Sequence, residues 1–193
     1  RVLGMEDEVV EYLSLADHSK KAFHEHFYDE AAGSYGDAGG NVLALKMGVP
    51  SEQYKKVVAA LKAGILKNGG HLDTGILGTR FFFEVLADNG LNELAFEALD
   101  KRSEPSYGHW IELGSTTTRE NWNEEGSHNH PMFGGGLTWF YRNLAGMQAD
   151  PWDPGYRHII FKPQRVKELE YVSYHNNTPY GKGGITWRNE EGA

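Results

Sequence analysis

Apolar residues recur in this chain with the period of a helix, in short blocks that glycine closes one after another, and this spacing limits the fold more than any other feature. The clearest block is Tyr54, Val57, Val58, Leu61 and Ile65, the i, i+3, i+4, i+7, i+11 pattern of one buried helical face. Ser51 after Pro50 is placed to cap its start, and Asn68-Gly69-Gly70 ends it. Before it, residues 5–27 carry Val9, Leu13, Ala16, Phe23 and Phe27 at helical spacing. His24, His26 and Tyr28 gather at the end of that block, read as a solvated terminus where histidine complements the helix dipole rather than as a metal site. Glycines 33, 36, 39 and 40 mark a loop, and Asn41 to Met47 reads as a short apolar helix closed by Gly48.

Downstream, His71-Leu72-Asp73-Thr74-Gly75 forms a loop in which Asp73 or Thr74 would cap the helix Thr79 to Ala87, itself stopped by Asn89-Gly90. Asn92 is placed to cap the next helix, with Leu91 and Phe96 as its hydrophobic staple, running to about Lys101. Leu137, Phe140, Tyr141 and Leu144 give one more amphipathic face ended by Gly146, and Trp139 is assigned to the core. Short and long links alternate between these blocks. Antiparallel helical hairpins produce that alternation, with the longer links collecting on one rim.

After Gly146 the pattern changes to that of strands. Pro151, Pro154 and Gly155 break the chain, and 157–163 reads as a strand. Residues 169–175 alternate and pair with Ile185-Thr186-Trp187 across a turn at Gly181-Lys182-Gly183-Gly184. The expected division is 1–148 as part of a helical catalytic domain and 149–193 as the start of a β-sheet domain. The acidic tail Glu190-Glu191-Gly192-Ala193 is expected to fray, and both ends of the chain read as cut from something longer.

Composition narrows the partners. A formal charge of -8 repels nucleic acid and anionic membrane surfaces, so neither is expected as a partner. The absence of cysteine removes disulfides and thiolate metal ligands, and no metal or cofactor is expected. No Walker-type or dinucleotide-binding glycine pattern and no GxSxG elbow occurs. Ten tyrosines and five tryptophans suit sugar recognition, since a pyranose packs its C–H face on a ring while its hydroxyls seek hydrogen bonds.

The stretch from Glu104 to Gly136 lacks sustained periodicity and concentrates histidine, tryptophan, threonine and carboxylates, which is how a functional loop reads. Glu120, in Thr116-Thr117-Thr118-Arg119-Glu120-Asn121-Trp122, is the candidate catalytic carboxylate. Taken alone, the same segment reads first as a surface glutamate paired with Arg119. Asn129 and His130 are candidates for hydrogen bonds to a sugar hydroxyl or to the carboxylate. Trp110, like Trp139, could line a pocket or simply pack, Trp122 two residues after Glu120 is expected on the same side as the carboxylate, and His71 stands in the loop before a helix.

Taken in order, His71-Leu72-Asp73-Thr74-Gly75 with Gly78-Thr79, Pro105-Ser106-Tyr107-Gly108, Gly114-Ser115-Thr116-Thr117 with Glu120 and Trp122, and Asn129-His130 with Phe133-Gly134 resemble the bacterial α-L-rhamnosidases of glycoside hydrolase family 78. The run Tyr141-Arg142-Asn143-Leu144-Ala145-Gly146 resembles that family's passage into its C-terminal β-sandwich. The resemblance implies a mainly α chain, the second half of an α/α six-hairpin barrel followed by the beginning of a β-sandwich. It implies hydrolysis of terminal α-L-rhamnosides with inversion, Glu120 as the general base, and Glu120, His130, Asn129, Trp122, Trp110 and His71 around a rhamnose-containing glycoside or oligosaccharide. Arg119 stands where the family often has tryptophan. The general acid is expected outside this chain, in the remaining parts of the parent protein, so that the chain alone would be inactive. The alternatives are a non-catalytic carbohydrate-binding helical module and a related α/α-barrel hydrolase or lyase for another sugar.

Overall fold

The structure, a computed structural model, describes residues 4–189; the acidic tail expected to fray lies outside them. Seven α-helices lead to four short strands: α1 (Glu6–Phe27), α2 (Ala38–Met47), α3 (Ser51–Lys67), α4 (Gly75–Asp88), α5 (Asn92–Asp100), α6 (Tyr107–Glu112) and α7 (Gly135–Trp139), then β1 (Met147–Ala149), β2 (Ile159–Phe161), β3 (Tyr171–Thr178) and β4 (Gly181–Arg188). α4 lies between α2 and α7, with α3 against α2 and α5 against α4. The short links 48–50 and 89–91 join the helices of a hairpin. The long segments 28–37, 68–74 and 113–134 each precede α2, α4 or α7.

Small residues let α2, α4 and α7 approach closely. A β-carbon on Gly78 would stand 3.3 Å from the α-carbon of Gly39, and one on Gly135 would stand 2.5 Å from the carbonyl oxygen of Thr79. Gly39 and Gly40, expected in a loop, therefore belong to the first turn of α2, where Asp37 caps by accepting from the Gly40 N–H at 2.8 Å. Behind these contacts Phe82, Phe83, Leu86, Val57, Leu61, Ile65 and Trp139 are fully buried. Each side chain of this size contributes about 1.5–3 kcal/mol by leaving water.

Several local expectations are corrected. Pro50 takes the cap position of α3, and the Ser51 hydroxyl turns to the Glu52 carboxylate at 3.1 Å. Leu91, not Asn92, precedes the first turn of α5. Asn92 is buried instead, accepting from Trp139 Nε1 at 2.7 Å and donating to the Gln164 carbonyl at 2.7 Å, so that it ties α5 to α7 and to the C-terminal segment. Thr74 precedes α4 without capping it, its hydroxyl lying 3.0 Å from that of Thr79. His24 is no solvated terminus: its Nδ1 lies 2.6 Å from the Tyr35 hydroxyl and its ring stacks on Tyr28.

The supposed loop from Glu104 to Gly136 contains α6, capped by the Ser106 hydroxyl accepting from His109 N–H at 3.0 Å, and a 3-10 turn at Pro131–Phe133. Six residues are too few for a periodic pattern to show. The inward face of α7 and the π-helical turn after it, Phe140–Leu144, is Gly136, Trp139, Asn143 and Leu144, while Leu137, Phe140 and Tyr141 are exposed. Trp139 sits in the core as expected.

Beyond α7, β1 pairs antiparallel with β2 and β3 with β4. β1 was not anticipated, and it runs across the expected junction at 148/149. The β3–β4 pairing is the expected one, Val172 opposite Trp187 and Tyr174 opposite Ile185. The turn, however, is Pro179-Tyr180, and Gly181 to Gly184 lie in β4. Gly183 packs against the side chain of Met147, where a β-carbon would stand 2.8 Å from its flexible Cε end. Trp187 donates its Nε1 to the Leu144 carbonyl at 2.8 Å and so seats the hairpin on the end of the helical layer.

Candidate active site

Residues 115–130 fold back on themselves as an irregular hairpin. The His130 N–H donates to the Thr118 carbonyl at 2.8 Å, and the Thr118 hydroxyl returns a bond to the His130 carbonyl at 2.6 Å. The Thr117 hydroxyl donates to the His128 carbonyl. Further along, the Glu120 N–H donates to the Ser127 carbonyl at 2.8 Å, and the Ser127 N–H donates to Glu120 Oε2 at 2.8 Å. Thr117 and Thr118 thus act through their hydroxyls, which supplement the backbone bonds of the hairpin.

Glu120 is half-buried and pairs with Ser127, not with Arg119. Arg119 is 7% exposed and forms its ion pair with Glu124, NH1 to Oε2 at 3.0 Å. This removes the reading of Glu120 as a surface partner of Arg119. Only Oε2 of Glu120 is engaged; Oε1 has no partner among the described residues. Gly126 makes room for the carboxylate, because a β-carbon there would stand 2.6 Å from Oε2.

Beneath the hairpin, Trp122 stacks on Trp110 with ring centroids 4.3 Å apart, and Phe133 and Tyr107 close the cluster edge-on. Trp110 is 2% exposed and donates Nε1 to the Trp122 carbonyl at 3.2 Å. Its ring supports Trp122 from behind. Burial pushes the Tyr107 hydroxyl pKa far up, and the hydroxyl donates to the Phe133 carbonyl. Trp122 Nε1 is buried with no hydrogen-bond partner among the described residues.

The remaining candidates separate. His130 is half-buried and faces Thr118 across the hairpin, its imidazole without a hydrogen-bond partner among the described residues. Asn129 is exposed. His71 spends both ring nitrogens on the protein, Nδ1 lying 3.2 Å from the Pro105 carbonyl and Nε2 3.1 Å from the Ser103 hydroxyl, so it clamps link 68–74 to link 101–106. A cavity of about 730 Å³ lies beside the hairpin, walled by Leu99, Tyr107, Trp110, Ile111, Leu137 and Phe140 and edged by Thr116, Thr118 and Asn129. Glu120, Trp122, His130 and His71 do not line it, so the carboxylate does not open into this cavity. Among the described residues no three His, Asp or Glu side chains converge as they would around a metal ion. Sequence reasoning missed Ser127, Gly126 and Glu124. Only the left-handed glycine in Glu-Glu-Gly-Ser could have signalled a turn there.

Residues 1–144 match the family model described as the bacterial alpha-L-rhamnosidase 6 hairpin glycosidase domain. The chain belongs to the bacterial α-L-rhamnosidase family. Residues 146–193 match the C-terminal domain of the same family. An α-L-rhamnosidase of Formosa agariphila is 33% identical over 186 residues, covering 90% of this chain and 20% of the relative. One from Streptomyces avermitilis is 30% identical over 194 residues, covering 94% and 19%. The chain therefore spans about a fifth of the length of these rhamnosidases. Among solved structures, the α-L-rhamnosidase from Dictyoglumus thermophilum superposes with a TM-score of 0.89 at 36% identity, over 98% of this chain and 22% of that one. The Streptomyces avermitilis α-L-rhamnosidase complexed with L-rhamnose superposes with a TM-score of 0.86 at 28% identity, over 95% and 19%. The mainly helical reading, half of a six-hairpin barrel leading into a β domain, is the fold of this rhamnosidase family.

Proposed function

We propose that the full protein carrying this chain hydrolyses terminal α-L-rhamnosides with inversion, and that Glu120 is its general base. The observation that carries the reading is the one-sided anchoring of Glu120. The Ser127 N–H holds Oε2, while Oε1 keeps its lone pairs for a water molecule. A base must be both oriented and available, and a carboxylate tied through one oxygen satisfies both conditions. In an inverting glycosidase this water attacks the anomeric carbon from the face opposite the leaving group, while a second carboxyl, roughly 6.5–9.5 Å away, protonates the departing oxygen. That acid is assigned to a part of the full protein outside this chain, and the chain by itself is assigned no turnover.

His130, facing the same hairpin with an unengaged imidazole, is assigned to a sugar hydroxyl, and Asn129 beside it to a neighbouring one. Trp122 supplies an apolar wall that Trp110 backs. His71 acts on the site by fixing the links on which it is built. The proposed division of labour places 1–148 with catalysis and 149–193 with the β domain. The proposed substrate is a rhamnose-containing glycoside or oligosaccharide, in keeping with the L-rhamnose held by the Streptomyces avermitilis relative.

The test is Glu120→Gln in the full-length protein. The amide keeps an oxygen for the Ser127 N–H but cannot take a proton from water, so turnover of an aryl α-L-rhamnoside should fall by roughly 10²–10⁴-fold while rhamnose still binds. Proton NMR of the first product from the unmodified protein should show the anomer opposite to the substrate. Unchanged turnover in the variant discards the assignment of Glu120, and a retained anomer discards inversion.

A further inference from the structure

Arg119 is the one buried charged residue among the described residues. Burying a guanidinium is costly unless its donors are met, so its partners indicate what the residue does. Nε donates to the Ser115 hydroxyl at 2.7 Å and NH1 donates to Glu124 Oε2 at 3.0 Å. The rigid, planar fork of arginine therefore joins a residue four positions before it to one five positions after it, and Glu120 lies inside the span.

Meeting the buried donors offsets the cost of burying Arg119 but does not by itself require these particular partners. The Glu124 side chain is 40% exposed, and an ion pair that opens to water adds little to folding. What the pair defines is a conformation. Glu124 is held at φ +68, in the left-handed region that residues other than glycine rarely adopt. Its carbonyl lies 3.2 Å from His128 Nε2. From Glu124 the chain turns through Gly126 to Ser127, whose N–H holds the Glu120 carboxylate. The contacts thus close a circuit from Arg119 to Glu124, through the turn to Ser127, and back to Glu120.

We propose that Arg119 is a positioning residue for Glu120. By pinning Ser115 and Glu124 it sets the turn that aims the free oxygen of the carboxylate. The inference rests on Glu120 being the general base. Arg119 itself touches neither substrate nor the reacting atoms.

The experiment compares Arg119→Met, Glu124→Gln, their double variant and Ser115→Ala with Glu120→Gln, all in the full-length protein on an aryl α-L-rhamnoside. A misdirected base loses kcat and keeps ground-state binding, so Arg119→Met should lower kcat about 10–100-fold with KM changing less than about threefold. Ser115→Ala, which removes one hydrogen bond and keeps the charge, should lower kcat several-fold with an unaltered melting temperature. The double variant should lose little more kcat than Arg119→Met alone, because the two residues act as one unit. Should Arg119→Met fail to fold, Ser115→Ala and Glu124→Gln decide by the same kcat criterion. Unchanged kcat in the folded variants, or a strictly additive double variant, overturns the positioning role. If that happens while Glu120→Gln abolishes turnover, the base assignment stands alone. If Glu120→Gln turns over normally, the base assignment falls and takes this inference with it.

Discussion

Glu120 and Ser127 are bound to each other twice, backbone N–H to carbonyl at 2.8 Å in one direction and backbone N–H to carboxylate Oε2 at 2.8 Å in the other. The second bond takes the place of a sheet bond that the Glu120 carbonyl would otherwise accept. It converts a flexible glutamate into one with a set direction. Such preorganisation matters because a reacting group displaced by about 1 Å can cost on the order of 100-fold in rate.

The seat of that carboxylate depends on Gly126, which has φ +85 and would place a β-carbon 2.6 Å from Oε2. Gly126→Ala should therefore lower kcat by about 10–100-fold through displacement of the carboxylate. Its left-handed strain should cost only about 1 kcal/mol of stability. Gly155→Ala is the control, since Gly155 has φ +83 with no atom within 4 Å of the added carbon. The two variants should match in melting temperature and differ in kcat, and equal kcat values would remove Gly126 from the site.

Asn92 is the polar tie between the helical layers. Asn92→Ala leaves the Trp139 indole N–H buried without its partner and the half-buried Gln164 carbonyl without its donor, at a cost of about 2–3 kcal/mol. A lowered urea midpoint of the helical unit checks this. KM should stay unchanged, because neither Asn92 nor its partners lie on the hairpin that carries Glu120.

His71 gives a third test. With both ring nitrogens engaged by Ser103 and Pro105, His71→Phe should lower stability by about 1 kcal/mol and raise KM only modestly, as the two links separate. A large rise in KM at unchanged melting temperature would instead place the imidazole on the sugar.

The sequence by itself determined the helical blocks, the alternation of short and long links, the existence of the C-terminal hairpin and the order of motifs that carries the family resemblance. These are local matters, because helical period, glycine breaks and strand alternation are decided among residues a few positions apart. Only the tertiary structure decided which partner each polar side chain takes. Asn92 looked like a cap and became a bridge to Trp139, because the energy of a buried indole N–H outweighs that of an exposed helix end. Leu137 and Phe140 fit an amphipathic pattern yet lie exposed, since Gly135 and Gly136 allow α7 to approach α4 through its other face. Arg119 bonds to Ser115 and Glu124 and not to its neighbour Glu120, whose carboxylate is taken by the Ser127 N–H across the turn. Periodicity records which residues leave water; the close-packed interior decides what they meet there.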